Sequence, residues 1–321
     1  MASVSIYGTG QLGTEVARLL REVPAHKVFG PFGRSERVEA LGSGADVVII
    51  ATTTRFRDVA EDIEFALTSG SNVLVSAEEC AYPWAVDAAL SDTLDALARS
   101  KDVSIAGTGV NPGLIFDSLV LTLLGAAPRG CTVAVRRTVS IAGFGATVLR
   151  RIGLGKPPAA FAEAVSREEI LGHAGFPQSM QVVASAMGLK IESIKKELLP
   201  LIAEKDIDLP DRFIVAAGES AGVNQTYTAF VDGKPWFTSH FYGHVDLPGI
   251  GKMAMDEIEL SLNGEIFQRI QLKPGINSQI GSQNMVANSI QRIINARSGW
   301  VTVAEMEPAY PESMAPRKQP E

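Results

Sequence analysis

Cysteine is almost missing from this chain. Cys80 and Cys131 stand alone among 321 residues, far apart and without metal-ligand spacing, which argues against a disulfide framework or a structural zinc and points to a reducing compartment. Histidine is nearly as scarce, at four residues. Its one i, i+4 pair, His240 and His244, falls in an aromatic, glycine-containing stretch that reads as strand or loop, so no metal is expected. Aromatic residues make up 7% and the formal net charge is −7, which leaves no basic stripe for nucleic acid. No apolar run reaches the roughly 20 residues that cross a bilayer. The first residues lead straight into a strand without the charged and apolar regions of a leader, and the cytoplasm is the expected location. Internal repeats and low-complexity tracts are lacking too.

What the chain does have is a 46% share of hydrophobic residues and the length for two domains. Its most informative stretch is Val4-Ser5-Ile6-Tyr7-Gly8-Thr9-Gly10-Gln11-Leu12-Gly13, an apolar strand, a glycine-rich turn and then the helix-like Thr14 to Leu20. In that setting Gly8 permits a tight turn, Gly10 lets backbone approach a pyrophosphate, and Gly13 lets the helix pack closely on the sheet. The helix N-terminus offers free N–H groups to the phosphates. A second strand, His26 to Phe32, runs into Gly33-Arg34-Ser35-Glu36-Arg37 with no acid at the strand end to hold a ribose 2′-hydroxyl. Arg34 and Arg37 can pair with a 2′-phosphate and Ser35 can donate to it, so NADP is expected in preference to NAD.

The unbroken apolar run Ala45 to Ala51, ending in Thr52-Thr53-Thr54, has the character of a strand buried on both faces. Ala51, Thr52 and Thr53 would then line the cofactor crevice at the carboxyl ends of the strands, while Thr54 suits a helix cap. Helices over Asp58 to Ser69 and Ala85 to Arg99 alternate with strands Val73 to Val75 and Val103 to Gly107, the pattern of a parallel, doubly wound sheet. Past a helix at Ile115 to Leu124 the pattern changes to longer strands at 131–141, 213–216, 225–231 and 257–262, the last joined through Asn263-Gly264 to a hairpin partner at 266–270. The expected architecture is α/β: a Rossmann sheet over 1–115, then an α+β domain with a largely antiparallel sheet over 116–282. One amphipathic helix, Gln283 to Arg297, and a mobile or lightly docked tail from Pro308 would complete the chain over 283–321.

Two segments can carry chemistry. Glu78 and Glu79 follow the strand at Val75, where a nicotinamide would reach, and Tyr82 and Trp84 could keep water away from a general acid or base there. Neighbouring residues in extended chain point opposite ways, so one of the pair should enter the crevice; Glu78 is nearer the strand end. In Gly107-Thr108-Gly109-Val110-Asn111-Pro112-Gly113 the glycines allow close approach, Asn111 offers an amide to the nicotinamide carboxamide, and Pro112 belongs to the same contact surface. Phe144, His173, Phe176 and Met180 are the candidate lining of a substrate pocket.

The glycine turn, the segment Asn72 to Pro83 and the Gly107 to Gly113 loop together resemble the 2,4-diaminopentanoate dehydrogenases and the related native amine dehydrogenases. Gly172-His173-Ala174-Gly175-Phe176 and Met285-Val286-Ala287-Asn288-Ser289-Ile290 extend the resemblance over most of the chain, although residues between Lys190 and Glu219 match no pattern. The resemblance implies an NAD(P)-dependent homodimer whose C-terminal helix packs back on the nucleotide domain, with Asn288 near the cofactor and a glutamate of the Glu78-Glu79 segment as catalytic group. It implies reductive amination: a ketone or aldehyde and ammonia give an iminium, which takes hydride to form a primary amine. An imine or hydroxy-compound oxidoreductase and a non-catalytic NADP-binding regulator are the other readings.

Overall fold

The computed structural model describes residues 1–209 and 213–311. Its first half runs β1 (Ala2–Tyr7), α1 (Gln11–Arg21), β2 (His26–Phe32), α2 (Arg37–Leu41), β3 (Val47–Ile50), α3 (Phe56–Thr68), β4 (Asn72–Val75), α4 (Ala88–Ser100), β5 (Ser104–Gly107) and α5 (Ser118–Leu124). Next come β6 (Thr132–Ser140), α6 (Ala146–Arg151), α7 (Pro158–Ser166), α8 (Phe176–Ala186), β7 (Ser193–Ile202), β8 (Ile207–Leu209) and β9 (Phe213–Val215). The last elements are β10 (Ser220–Val231), β11 (Lys234–His244), β12 (Met255–Leu262), β13 (Glu265–Leu272), α9 (Ser278–Ala287), α10 (Ile290–Asn295) and β14 (Gly299–Trp300). Contacts divide the chain into two units. One holds Met1–Leu121, Gln178–Gly188 and the chain from Asn277; the other holds Thr122–Pro177 and Leu189–Ile276.

The first unit is built on a wholly parallel sheet in the order β14-β5-β4-β3-β1-β2. All strands run the same way, but the chain adds β2 on one side of β1 and β3 on the other, so a crevice opens at the carboxyl ends of β1 and β3. Helices cover both faces, which is why β3 reads as continuous apolar sequence. Val48 and Ile50 join Phe56, Ile63, Leu67, Leu94 and Trp300 on one face. Val47 and Ile49 join Ile6, Val16, Leu20, Val286, Ile290 and Ile293 on the other. The sixth strand, β14, is two residues long and pairs with β5. Too short to carry a period, it has no sequence signature.

The expected single C-terminal helix is two. Asn277 caps α9 by accepting from the N–H groups of Gln279 and Ile280, both at 3.0 Å. At the other end the Ser289 hydroxyl donates to the Met285 carbonyl at 2.6 Å, and the helix restarts as α10 from Ile290. A serine side chain that bonds its own backbone competes with the helical ladder. The tail is docked where it is described: the Arg292 guanidinium lies 3.6 Å from the Tyr310 ring centroid and its Nε donates to the Pro308 carbonyl at 3.3 Å. The rest of the tail, 312–321, lies outside the described residues.

The second unit carries a six-stranded sheet in the order β13-β12-β6-β11-β10-β7, antiparallel except that β6 and β11 run parallel. Burial along β6 alternates, with Val133, Val135, Arg137 and Val139 inward. The inward Arg137 is tolerated because its Nη2 donates to the Ile276 carbonyl at 2.6 Å and Asp256 lies 3.5 Å from Nη1. The Asn263-Gly264 hairpin is present, with φ of +53 and +85, joining β12 to β13. β7 went unrecognised in the sequence because most of its residues, including Lys195, Lys196 and Glu197, are exposed on an edge strand and show no apolar alternation.

Candidate active site

At the carboxyl end of β1 the chain turns through Gly8 with φ +132. A Cβ on Gly8 would lie 2.3 Å from the Ala51 carbonyl oxygen, and one on Gly13 would lie 2.0 Å from the Gly8 oxygen, so neither position accepts a side chain. Gly10 differs: a Cβ there meets nothing within 4 Å. Gly10 is also the N-cap of α1 and offers no side-chain cap, which leaves first-turn N–H groups for an anion. The turn therefore fits a dinucleotide pyrophosphate, with close packing where the fold needs it and open space where the phosphates would lie.

A cavity of about 140 Å³ opens at the carboxyl ends of β4 and β5. Its apolar wall comes from Leu12, Ala77, Ala81, Val110, Pro112 and Val286, and its polar lining from Ser76, Glu78, Thr108, Asn111 and Ser282. Gly107 brings these pieces together, since a Cβ there would sit 2.4 Å from the Cys80 carbonyl carbon. The Asn111 side chain is the notable group. Both its Oδ1 and its Nδ2 are buried and neither has a hydrogen-bond partner among the described residues. A buried amide without partners costs of order 1–3 kcal/mol per group, and a ligand with a matching donor and acceptor would remove that cost.

The two glutamates separate cleanly. Both sit in a 3-10 turn, Glu78–Ala81, that follows β4. Glu78 lines the cavity. Glu79 turns away: its Oε2 accepts from the Phe56 N–H at 2.8 Å, at the first turn of α3, while its backbone N–H donates to the Thr54 carbonyl at 3.4 Å. The capping expected of Thr54 is thus supplied by a carboxylate from another segment. Tyr82 and Trp84 also depart from expectation. Their ring centroids lie 5.5 Å apart with the planes tilted by 56°, Trp84 meets Trp300 at 6.0 Å and packs on the core around α3 and α4, and neither ring lines the cavity.

At the end of β2, Arg34 and Ser35 are exposed in a 3-10 turn, and Arg34 makes no ion pair among the described residues. Arg37 is engaged: its Nε donates to Asp62 Oδ1 at 2.5 Å and the guanidinium lies 5.6 Å from the Phe65 ring centroid. Glu36, which the sequence reading passed over, returns its carboxylate to the Gly33 N–H at 2.9 Å. The Gly33-x-x-Glu36 spacing of a capping box was the available signal. Thr52 is exposed beyond β3, and the Thr53 hydroxyl reaches Asp58 at 3.4 Å. Asn288 closes α9 as its C-cap and does not line the cavity.

Of the four candidate substrate residues, His173 and Phe176 meet in the second unit with ring centroids 5.3 Å apart, beside Phe241 and Tyr227. Burial pushes the His173 imidazole down to about 4, with Arg137 and Arg151 acting the same way, against the Ala174 carbonyl that favours its protonated form. Phe176 and Met180 are both fully buried, and Met180 belongs to the first unit. Phe144 lies in the loop after β6, its N–H donating to the Ile141 carbonyl at 3.0 Å. Ser76, Thr108, Ser282 and Val286 were missed. Ser282 and Val286 share one helix face at i, i+4, but only the packing of α9 shows which face it is.

Comparison with known proteins decides the family. Residues 114–317 match the model of the 2,4-diaminopentanoate dehydrogenase C-terminal domain. A 2,4-diaminopentanoate dehydrogenase from Acetoanaerobium sticklandii is 32% identical over 263 residues, 82% of this chain and 74% of that protein. The chain belongs to the 2,4-diaminopentanoate dehydrogenase family. It is a nicotinamide-dependent oxidoreductase, and the fold is shared with solved dehydrogenases. An amine dehydrogenase from Mycobacterium smegmatis superposes with a TM-score of 0.81 at 22% identity, covering 97% of each chain. A scyllo-inositol dehydrogenase from Lactobacillus casei superposes at 0.53 with 13% identity, covering 95% of this chain and 91% of that one. No helix of this family member, among the described residues, is long and apolar enough to cross a membrane.

Proposed function

We propose that this protein is an NADPH-dependent amine dehydrogenase that converts a ketone or aldehyde and ammonia reversibly into a primary amine. The observation that carries the reading is the placement of Glu78, a carboxylate at the end of β4 lining the same small cavity as the Asn111 amide, which has no partner among the described residues. The cofactor supplies or accepts a hydride at the carbon that bears nitrogen. Asn111 would fix the carboxamide by one donated and one accepted hydrogen bond. Glu78 would take a proton from ammonium, return one to the departing hydroxyl of the carbinolamine, and stabilise the cationic iminium by its charge. Leu12, Ala81, Val110 and Val286 keep the surroundings of the carboxylate apolar. The name of the Acetoanaerobium sticklandii relative, a 2,4-diaminopentanoate dehydrogenase, makes a short diamino acid the first substrate to try.

For cofactor choice, Arg34 is the one of the two arginines free to meet a 2′-phosphate among the described residues, since Arg37 is held by Asp62. Losing that charge-assisted pair in Arg34→Ala should weaken NADPH binding about tenfold or more and leave NADH nearly unchanged. Equal affinity of the native protein for both cofactors would refute the preference. The protein is expected to act as a homodimer, which light scattering at micromolar concentration checks.

The deciding experiment is NADP⁺ reduction across diamino acids, simple amines and alcohols at alkaline pH. Turnover of amines alone supports the proposal. Turnover of alcohols alone would assign a hydroxy-compound oxidoreductase, and cofactor binding without any turnover a regulator.

A further inference from the structure

The loop that presents Asn111 has to be held by something other than Asn111 itself, because that side chain has no hydrogen-bond partner among the described residues. Loop residues Thr108 to Pro112 form one wall of the cavity, and Gly113 closes the loop by folding over Gly109, where a Cβ would come within 2.2 Å of the Gly109 oxygen. One carboxylate pins that closure. Asp117 Oδ2 accepts from the Gly113 N–H at 2.8 Å and from the Ser179 hydroxyl at 2.9 Å, and Oδ1 accepts from the Ser118 N–H at 2.8 Å. The Ser118 hydroxyl completes the ring by donating to the Gly113 carbonyl at 2.7 Å. Asp117 is 0% exposed.

A plain helix cap would look different. Asp117 precedes α5, yet its side chain takes no N–H from the second or third residue of that helix; it reaches back to the loop and across to Ser179 on α8, 62 residues away. Three donors on a fully buried carboxylate are what a rigid anchor requires, since each unsatisfied lone pair in that setting would be costly.

We propose that Asp117, buttressed by Ser179, is the positioning residue that orients Asn111 toward the cofactor's carboxamide. The inference rests on the assignment of Asn111 in the proposed function. An amide at position 117 must set an N–H against the Ser118 N–H or the Gly113 N–H, and since Ser118 also holds the Gly113 carbonyl, either arrangement of Asp117→Asn loosens the Gly113 closure and with it the direction of the Asn111 side chain.

The test compares NADP⁺ with its 3-acetylpyridine analogue, in which a methyl group replaces the carboxamide nitrogen. The readout is the ratio of kcat/KM for the two cofactors with one amine, measured in the full chain. Asn111→Ala should lower the native ratio about tenfold, the worth of one well-placed hydrogen bond. Asp117→Asn should move the ratio most of that way, Ser179→Ala part of it, and Asn111→Ala/Asp117→Asn no further than Asn111→Ala alone. Ser179→Ala keeps the carboxylate, and it decides the matter if Asp117→Asn does not fold. A native ratio in the Asp117 and Ser179 variants, beside a collapsed ratio in Asn111→Ala, overturns the proposal and leaves Asp117 a purely structural anchor. An unchanged ratio in Asn111→Ala instead refutes the carboxamide assignment, and the positioning role falls with it.

Discussion

Glu78 and Glu79 are adjacent and chemically identical, and the structure predicts opposite consequences of changing them. Glu79 accepts the Phe56 N–H at the start of α3, a helix whose first-turn donors have no side-chain cap of their own. Removing such a cap costs about 0.5–2 kcal/mol, and the interaction of the charge with the helix dipole contributes about 0.3–1 kcal/mol of stability. Glu79→Gln retains an acceptor oxygen and loses the charge, so about 0.5–1 kcal/mol is expected; Glu79→Ala loses both, about 1–2 kcal/mol. For a domain of about 150–250 residues that is a fall in Tm of roughly 2–8 °C for the alanine variant. The Glu78 side chain lines the cavity, and the Phe56 N–H is met by Glu79. Glu78→Gln keeps the side chain's shape and should lower kcat by at least about a hundredfold, the usual contribution of a general acid or base. Thermal melts and steady-state amine oxidation on the same preparations measure both quantities. A large loss of kcat in Glu79→Gln with a mild effect in Glu78→Gln would refute the assignment, and near-normal turnover in both single variants and in the double variant would refute a carboxylate mechanism altogether.

Two further outcomes follow from backbone geometry and from burial. Gly10→Ala should fold with native Tm, since its Cβ meets nothing within 4 Å, and lose cofactor affinity because the methyl group enters the pyrophosphate space, whereas Gly8→Ala should lose several degrees of Tm as well through contact with Ala51; isothermal titration with NADPH and thermal melts separate the two. His173 titrates near 4 in the folded protein against an ordinary 6.5, so the unfolded chain binds its proton first and stability is lost as pH falls from about 6.5 toward 4. The loss amounts to at most about 3 kcal/mol. Urea unfolding of the native protein and of His173→Phe at pH 7 and pH 4.5 checks it, and an identical pH dependence in both would count against a buried neutral imidazole.

The sequence by itself determined whatever depends on local pattern. Gly8, Gly10 and Gly13 at their spacing announced a turn that needs glycine at Gly8 and Gly13, the apolar run of β3 announced a strand covered on both faces, and Asn263-Gly264 announced a hairpin, because each is a constraint between residues a few positions apart. Placing Glu78 and Glu79 at the end of β4 was legible for the same reason. Tertiary structure alone decided which glutamate lines the cavity, since the choice depends on the N-terminus of α3, more than 20 residues earlier in the chain. It alone brought Ser282 and Val286 of α9 to the wall beside Asn111, supplied a two-residue strand to the sheet, and committed Arg37 to Asp62. Those outcomes are set by which surfaces pack together across long separations in sequence, and no period of two or of 3.6 residues encodes them.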